Sequence, residues 1–278
     1  MEYDLPSFDA VGGKPFIAAQ NAGSIDTALA KALGPGAEPQ LEPPRRNHTH
    51  LPFGRLENGQ ALHDARVREL NGADEEELAR VSGSPLRWLD TVLTLGTVEV
   101  GDQPATKETL RALTLADRDT LLVAIRIATY GGLVKFDGWQ CPYCARASDL
   151  TVDLADLEIR TPQDPTARTW VVETRGALVT LRYPTGADQM AFDGKDLSAA
   201  QSNSLLLSRL ITAYDTDGES RAGSLGLAKT LGMADRRTLL ESVREHTYGP
   251  RYDEVTMTHE ACGEEVPIPL TPGDLFRD

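Results

Sequence analysis

Three cysteines and one histidine have the types and the spacing to hold a metal ion. Cys141-Pro-Tyr-Cys144 and His259-Glu-Ala-Cys262 are two pairs, each with two residues between the donors. That spacing lets a tight turn aim both donors at one cation. Together Cys141, Cys144, His259 and Cys262 make a Cys3His set that suits tetrahedral Zn2+ and uses every cysteine in the chain. Four protein ligands leave no open position for water or substrate, so the expected cofactor is a structural Zn2+. A single CxxC would also fit a redox dithiol. That chemistry calls for a strand, the CxxC and then a helix, whereas Cys141 is expected to follow a helix and a loop.

No other constellation points to catalysis. The sequence carries no GxxxxGK[ST], no strand–GxGxxG–helix, no GxSxG and no HExxH. His63 and His246 have no visible acid or base partner. Glu260, inside the second pair, is the one acid next to the expected metal, and a closed site gives it nothing to activate. His48 and His50 stand two apart in a segment read as loop, and a metal site there is not the favoured reading. No catalytic residue is assigned, and the chain reads as non-enzymatic.

The four donors are tied together by a repeat. Thr114 to Gly131 and Gly232 to Gly249 align without gaps at a shift of 118, with 10 of 18 positions identical. Ala116, Asp117, Arg118, Leu121, Leu122, Arg126 and Tyr130 return as Ala234, Asp235, Arg236, Leu239, Leu240, Arg244 and Tyr248. The same shift carries Cys141 onto His259 and Cys144 onto Cys262. Val123, Ile127 and Ala128 become Glu241, Glu245 and His246, so the first helix is expected to be buried on two sides and the second on one. Two copies at so long a period do not make a solenoid. Two related halves about a pseudo-twofold axis are the expected arrangement.

The elements around the donors follow from local patterning. Thr114 caps a helix over 114–131, and Gly131 ends it. The pattern predicts a hairpin over 170–183 around Arg175-Gly176, helices over 197–214 and 234–248, and one or two short strands within 88–100. Leu62, Ala65, Val67 and Leu70 suggest a helix, and Asp74 to Glu77 suit the start of another. Seven of the 17 prolines fall in residues 1–60. The expected architecture is α+β. It has a flexible Pro/Gly-rich arm over 1–60, with Phe8, Phe16 and Ile17 as candidate anchors. A first half with the CxxC knuckle follows over 61–165, then a β-hairpin insertion over 166–200 and a second half with the HxxC knuckle over 201–278.

Charge narrows the partners. The chain has 28 Lys and Arg against 42 Asp and Glu, net −14. Such a surface repels phosphate backbones and anionic lipid. No run approaches the ~18–20 apolar residues of a membrane span. Three cysteines in a large acidic chain with no visible secretory signal point to reducing cytosol. A zinc-ribbon nucleic-acid-binding regulator is the alternative. It should carry Lys and Arg around its knuckles, yet CPYCARASD and HEACGEEVP hold a single arginine, Arg146.

Several stretches resemble a known family. Val67-Arg-Glu-Leu-Asn-Gly-Ala-Asp-Glu-Glu-Glu77 is similar to the RELTG-x-EE stretch of the T-even-type phage baseplate hub assembly chaperones. Ala116 to Arg126 with Tyr130-Gly131 and the Cys141/Cys144 knuckle resembles their central segment. Val152-Asp-Leu-Ala-Asp-Leu157 and the C-terminal Cys262-Gly, Ile268-Pro-Leu270 and Leu275-Phe276-Arg277 also fit. The likeness covers about residues 62–278, and the long N-terminal arm and His259 depart from it. Members occur in contractile-tailed phages and phage-tail-like injection systems. The resemblance implies a non-enzymatic assembly chaperone or structural adaptor. Its partner would be a baseplate hub, spike or tape-measure protein, met in the bacterial cytoplasm or in the assembled baseplate.

Overall fold

The computed structural model describes residues 46–276 apart from 217, 253, 254 and 269. Most of the expected arm, with Phe8, Phe16 and Ile17, lies outside the described residues. Its end does not belong to an arm: Arg46–Glu57 is strand β1, paired antiparallel with β2, Gln60–Arg68. Asn58 and Gly59 join them with φ of 49° and 77°, the left-handed pair that a two-residue hairpin turn needs. The helix expected from Leu62, Ala65, Val67 and Leu70 is therefore a strand over most of its length. Ala65 and Val67 are buried while Asp64 faces solvent, which is the period of two.

Helix α1, Gly72–Arg80, and helix α2, Pro85–Gly96, follow, then strands β3, Thr97–Val100, and β4, Gln103–Pro104. Residues 88–96, expected as strand, are helical. Ser84 caps α2, Pro85 begins it, and Val92 and Leu93 on its inner side reach the core. The four strands form one sheet in the order β1-β2-β3-β4.

Helix α3, Lys107–Ala112, leads into α4, Leu115–Tyr130, the main helix of the first core. Leu121, Leu122, Val123, Ala124, Ile125 and Ala128 are all buried, as the wide apolar arc requires. Each fully buried Leu or Ile contributes about 1.5–3 kcal/mol. A Cβ on Gly96 would lie 2.7 Å from Ile125 Cδ1, so glycine is what lets α2 and α4 approach so closely. Arg126 donates to the carbonyls of Gly131 and Leu133 just past the helix end.

Hairpin β5, Leu133–Gln140, with β6, Ala147–Asp153, carries the first pair of donors. Strand β7, Ile159–Arg160, precedes a second sheet. The expected hairpin forms, as β8, Thr169–Glu173, and β9, Leu178–Arg182. Rather than standing apart as an insertion, it joins two further strands in the order β8-β9-β10-β11. Between them come α5, Gly186–Met190, and α6, Ala199–Leu210; β10 is Ile211–Thr216 and β11 Glu219–Arg221. The helix expected over 197–214 thus turns into strand at Ile211. Helix α7, Leu225–Thr230, and α8, Met233–Glu245, follow. Strand β12, Gly249–Pro250, pairs with β7. Hairpin β13, Thr256–Thr258, with β14, Glu265–Pro267, carries the second pair of donors.

Two apolar clusters result. One joins β1, β2, α2, α4 and β5–β6, and it also takes Val266, Ile268, Leu270 and Leu275 from the end of the chain. The other joins β8–β10 with α6, α7 and α8 through Val179, Leu181, Leu207, Leu210 and Leu239. Helix α8 keeps one buried side, as the repeat comparison predicts.

Buried acids fasten loops to these elements. Strand β1 is irregular between His50 and Arg55, which leaves the N–H groups of Phe53 and Gly54 without strand partners. Both donate to Asp117 Oδ1, at 2.8 and 3.0 Å, and Thr114 Oγ1 donates to Oδ2. Burial pushes the Asp117 carboxyl up, against the pull of those donors and of Arg168. Arg68 grips Asp74 through two bonds of 2.7 and 2.8 Å, and Arg182 grips Asp188 at 2.6 and 2.8 Å. Arg209 adds a third bond to Asp188.

These clasps set an acid limit. Burial alone would raise the Asp188 carboxyl, but Arg182, the Thr185 N–H and Arg209 outweigh it and hold it below the usual carboxylate range. Asp74 is lowered in the same way: burial opposes, and Arg68 and the Asn71 N–H prevail. A depressed folded pKa means the stabilisation is complete above the unfolded value, about 3.9, and is lost as pH falls through the folded one. Loss of these two clasps should make the thermal midpoint fall below about pH 4, while Asp117 and Asp119, raised by burial and the latter to about 7, act in the opposite sense above that pH. Asp188→Asn should make that fall shallower. An unchanged slope in scanning calorimetry would show that Asp188 is not one of the groups responsible.

Candidate metal centre

Each pair of donors sits in a turn built the same way. In the first, the Cys141 N–H donates to the Arg146 carbonyl at 3.0 Å and the Ala145 N–H to the Cys141 carbonyl at 2.9 Å. In the second, the His259 N–H donates to the Glu264 carbonyl at 2.8 Å and the Gly263 N–H to the His259 carbonyl at 2.7 Å. The residue after the second donor is left-handed in both, Ala145 at φ 58° and Gly263 at 73°. Glycine takes that conformation freely, whereas alanine there costs roughly 1 kcal/mol. The turns fold the chain so that both donors of a pair point the same way.

The two turns bring all four donors together, with the ligand atoms of Cys141, Cys144, His259 and Cys262 within 4.8 Å of one another. Cys141 Sγ lies 3.8 Å from Cys262 Sγ, and His259 Nδ1 lies 3.5 Å from Cys144 Sγ and 3.2 Å from Cys262 Sγ. A tetrahedral zinc with bonds of about 2.3 Å to sulfur and 2.0–2.1 Å to nitrogen has edges of about 3.8 Å between sulfurs and 3.5 Å between sulfur and nitrogen. The donor set fits such an ion. The three cysteines are free of disulfides.

Burial and charge agree with a closed site. Cys141 and His259 are buried, and Cys144 and Cys262 half-buried. Trp139 packs edge-on against His259 with ring centres 6.3 Å apart, shielding the imidazole from water. Burial resists ionisation of Cys141, but the N–H groups of Cys144 and Tyr143 and the neighbouring thiols outweigh it and lower its pKa. Cys262 shifts the other way. The Glu264 N–H favours its thiolate, while burial and the other two thiols push it up. Coupled thiols ionise one after another in this way, and a cation joining them favours the thiolate of each.

The remaining candidates lie elsewhere. His50 and His63 stack with ring centres 4.6 Å apart on the first hairpin, and His63 Nδ1 meets the Leu51 carbonyl. His246 is not on an open face: it stacks on Trp170 at 4.6 Å and its Nδ1 meets the Ser242 carbonyl. Glu260 is exposed. Among the described residues no other group of three or more His, Cys, Asp or Glu converges as the Cys3His set does. Sequence reasoning missed Trp139, which lies two residues before Cys141 and carried no distinguishing signal. Among the described residues, no helix is long and apolar enough to cross a membrane.

Comparison with known proteins places the chain. Neither a curated protein nor a solved structure matches it. Residues 63–225, more than half of its length, match the family model described as T4 bacteriophage base plate protein. The matched span runs from β2 to α7. It includes the first knuckle and stops before the second, so the joining of the two knuckles is a finding of the tertiary structure. On the strength of that match, this chain belongs to the T4 bacteriophage base plate protein family.

Proposed function

We propose that the chain is a non-enzymatic assembly chaperone or structural adaptor for the baseplate hub of a contractile phage tail or phage-tail-like injection system. A structural Zn2+ on Cys141, Cys144, His259 and Cys262 holds its body together. The carrying observation is the family match over 63–225 taken with a donor set that has no vacancy for a substrate. The ion supplies a cross-link between hairpins remote in sequence. The chain's own residues do the rest: β5–β6 and β13–β14 orient the donors, and Trp139 and the first core keep water out. Two related halves in a pseudo-twofold arrangement are part of this reading, supported by the shift of 118 that relates both helices and knuckles.

The partner in this reading is a hub, spike or tape-measure protein, met in the cytoplasm of the host or producing bacterium or kept in the finished baseplate. The paired knuckles also suit a zinc-ribbon regulator of nucleic acid, but the net charge of −14 and the single Arg146 beside them disfavour phosphate contact. Tagged protein recovered from producing cells should carry baseplate or tape-measure components. Recovery of DNA or RNA alone, with a matching gel shift, would remove the assembly role.

A further inference from the structure

The same succession of elements occurs twice along the chain. Hairpin, helix, helix, strand, strand, short helix and main helix run as β1–β2, α1, α2, β3, β4, α3, α4 and again as β8–β9, α5, α6, β10, β11, α7, α8. The two sheets have the same strand order. Equivalent contacts recur as well. Arg68 with Asp74 becomes Arg182 with Asp188, the caps Ser84 and Thr106 become Ser198 and Ser224, and Arg118 on the Leu110 carbonyl becomes Arg236 on the Ala228 carbonyl.

The pairing of Asp90 does not recur. In the first set Asp90 takes Arg118 Nη2 at 3.1 Å and Arg111 Nη2 at 2.8 Å, so a carboxylate sits between two guanidinium groups. The counterpart of Asp90 is Ser204, which accepts from Arg236 Nη2 at 3.1 Å. The counterpart of Arg111 is Lys229, which is exposed. Among the described residues neither Arg236 nor Lys229 has a carboxylate partner. The adjacent acid, Asp235, is held by Arg175 at 3.0 Å. Both cations have been retained where the anion has not, in a chain with net charge −14. Arg236 is half-buried, and its guanidinium donates to the carbonyls of Ala228 and Ala200 and to Ser204 Oγ, the Ala200 contact being exposed.

We propose that Arg236 and Lys229 receive the carboxylate of an aspartate or glutamate on a partner protein, which takes the place that Asp90 fills from within the first set. An arginine fork, with a lysine at the position equivalent to Arg111, favours a planar carboxylate that can bridge them. The inference does not depend on the baseplate reading, because it is carried by the chain's own internal comparison.

The test uses the full 15N-labelled chain, with hexaglutamate as probe and the Arg236 Nε–Hε resonance as readout. Hexaglutamate should move that resonance saturably. Ser204→Asp fills the place from inside. It should weaken the peptide about tenfold or more, about 1.4 kcal/mol, while raising the thermal midpoint. Lys229→Ala, on the surface and safe for folding, should weaken the peptide without moving the midpoint. Equal binding by wild type and both variants, or no movement at all, would overturn the proposal. Inorganic phosphate acting at least as strongly as the peptide would also overturn it, by making the site a phosphate site.

Discussion

Replacing Cys144 or Cys262 by serine should release the metal and lower the thermal midpoint by about 10 °C or more. The two knuckles lie more than a hundred residues apart in the chain, and in the proposed reading a bound ion closes that loop. In the chain-entropy account a cross-link over about 100 residues is worth about 4–5 kcal/mol. For a domain of this size each kcal/mol corresponds to about 2–4 °C. The first core adds to the effect, because Val266, Ile268, Leu270 and Leu275 pack into it directly after the second knuckle. Freeing Cys262 loosens the anchor of that strip, so metal loss and core loosening should occur together. Calorimetry with and without chelator, beside atomic emission on freshly purified protein, measures both. Material with no zinc, or with one melting curve in both conditions, would mean that the donors are assembled for something else.

Asp90→Ala should be the most damaging single change away from the metal. Arg118 is 1% exposed and Asp90 3%. Burial pushes the Arg118 guanidinium down, while Asp90 counteracts it. Removing the carboxylate leaves that guanidinium bonded to the Leu110 carbonyl, with Asp119, itself pushed up to about 7 by burial, as its remaining counter-charge. Breaking a buried pair in this way costs about 3–5 kcal/mol. Arg118→Met should cost less, because it removes the stranded charge and fills similar space, while Asp90 keeps Arg111. Urea denaturation midpoints of the two variants decide the matter. If Asp90→Ala proves no worse than Arg118→Met, the pair does not hold the first core as described.

Legibility in the sequence depended on how local the determining physics was. The helix of 114–130 was readable because its cap, its apolar arc and its closing glycine all lie within the segment. The hairpin of 169–182 was readable for the same reason. The first hairpin was misread as a helix, although Asn58-Gly59 is a strong local turn signal. Leu62, Ala65, Val67 and Leu70 happen to satisfy a helical spacing, while Ala65 and Val67 also satisfy the strand period of two. Residues 88–96 were misread in the opposite sense. Their β-branched residues favour strand, but burial of Val92 and Leu93 against α4 outweighs so weak a preference.

The sequence by itself determined the four candidate donors, the spacing within each pair and the repeat that relates them, because turn chemistry and periodicity act over a few residues. It determined also that the chain is acidic and carries no GxxxxGK[ST], GxSxG or HExxH. Only the tertiary structure decided that the two knuckles meet with sulfurs 3.8 Å apart, that Trp139 packs against His259, and that Asp90 bonds Arg118. Those are contacts between segments tens to more than a hundred residues apart. Their energy depends on where packing places each backbone, and no local pattern carries that information.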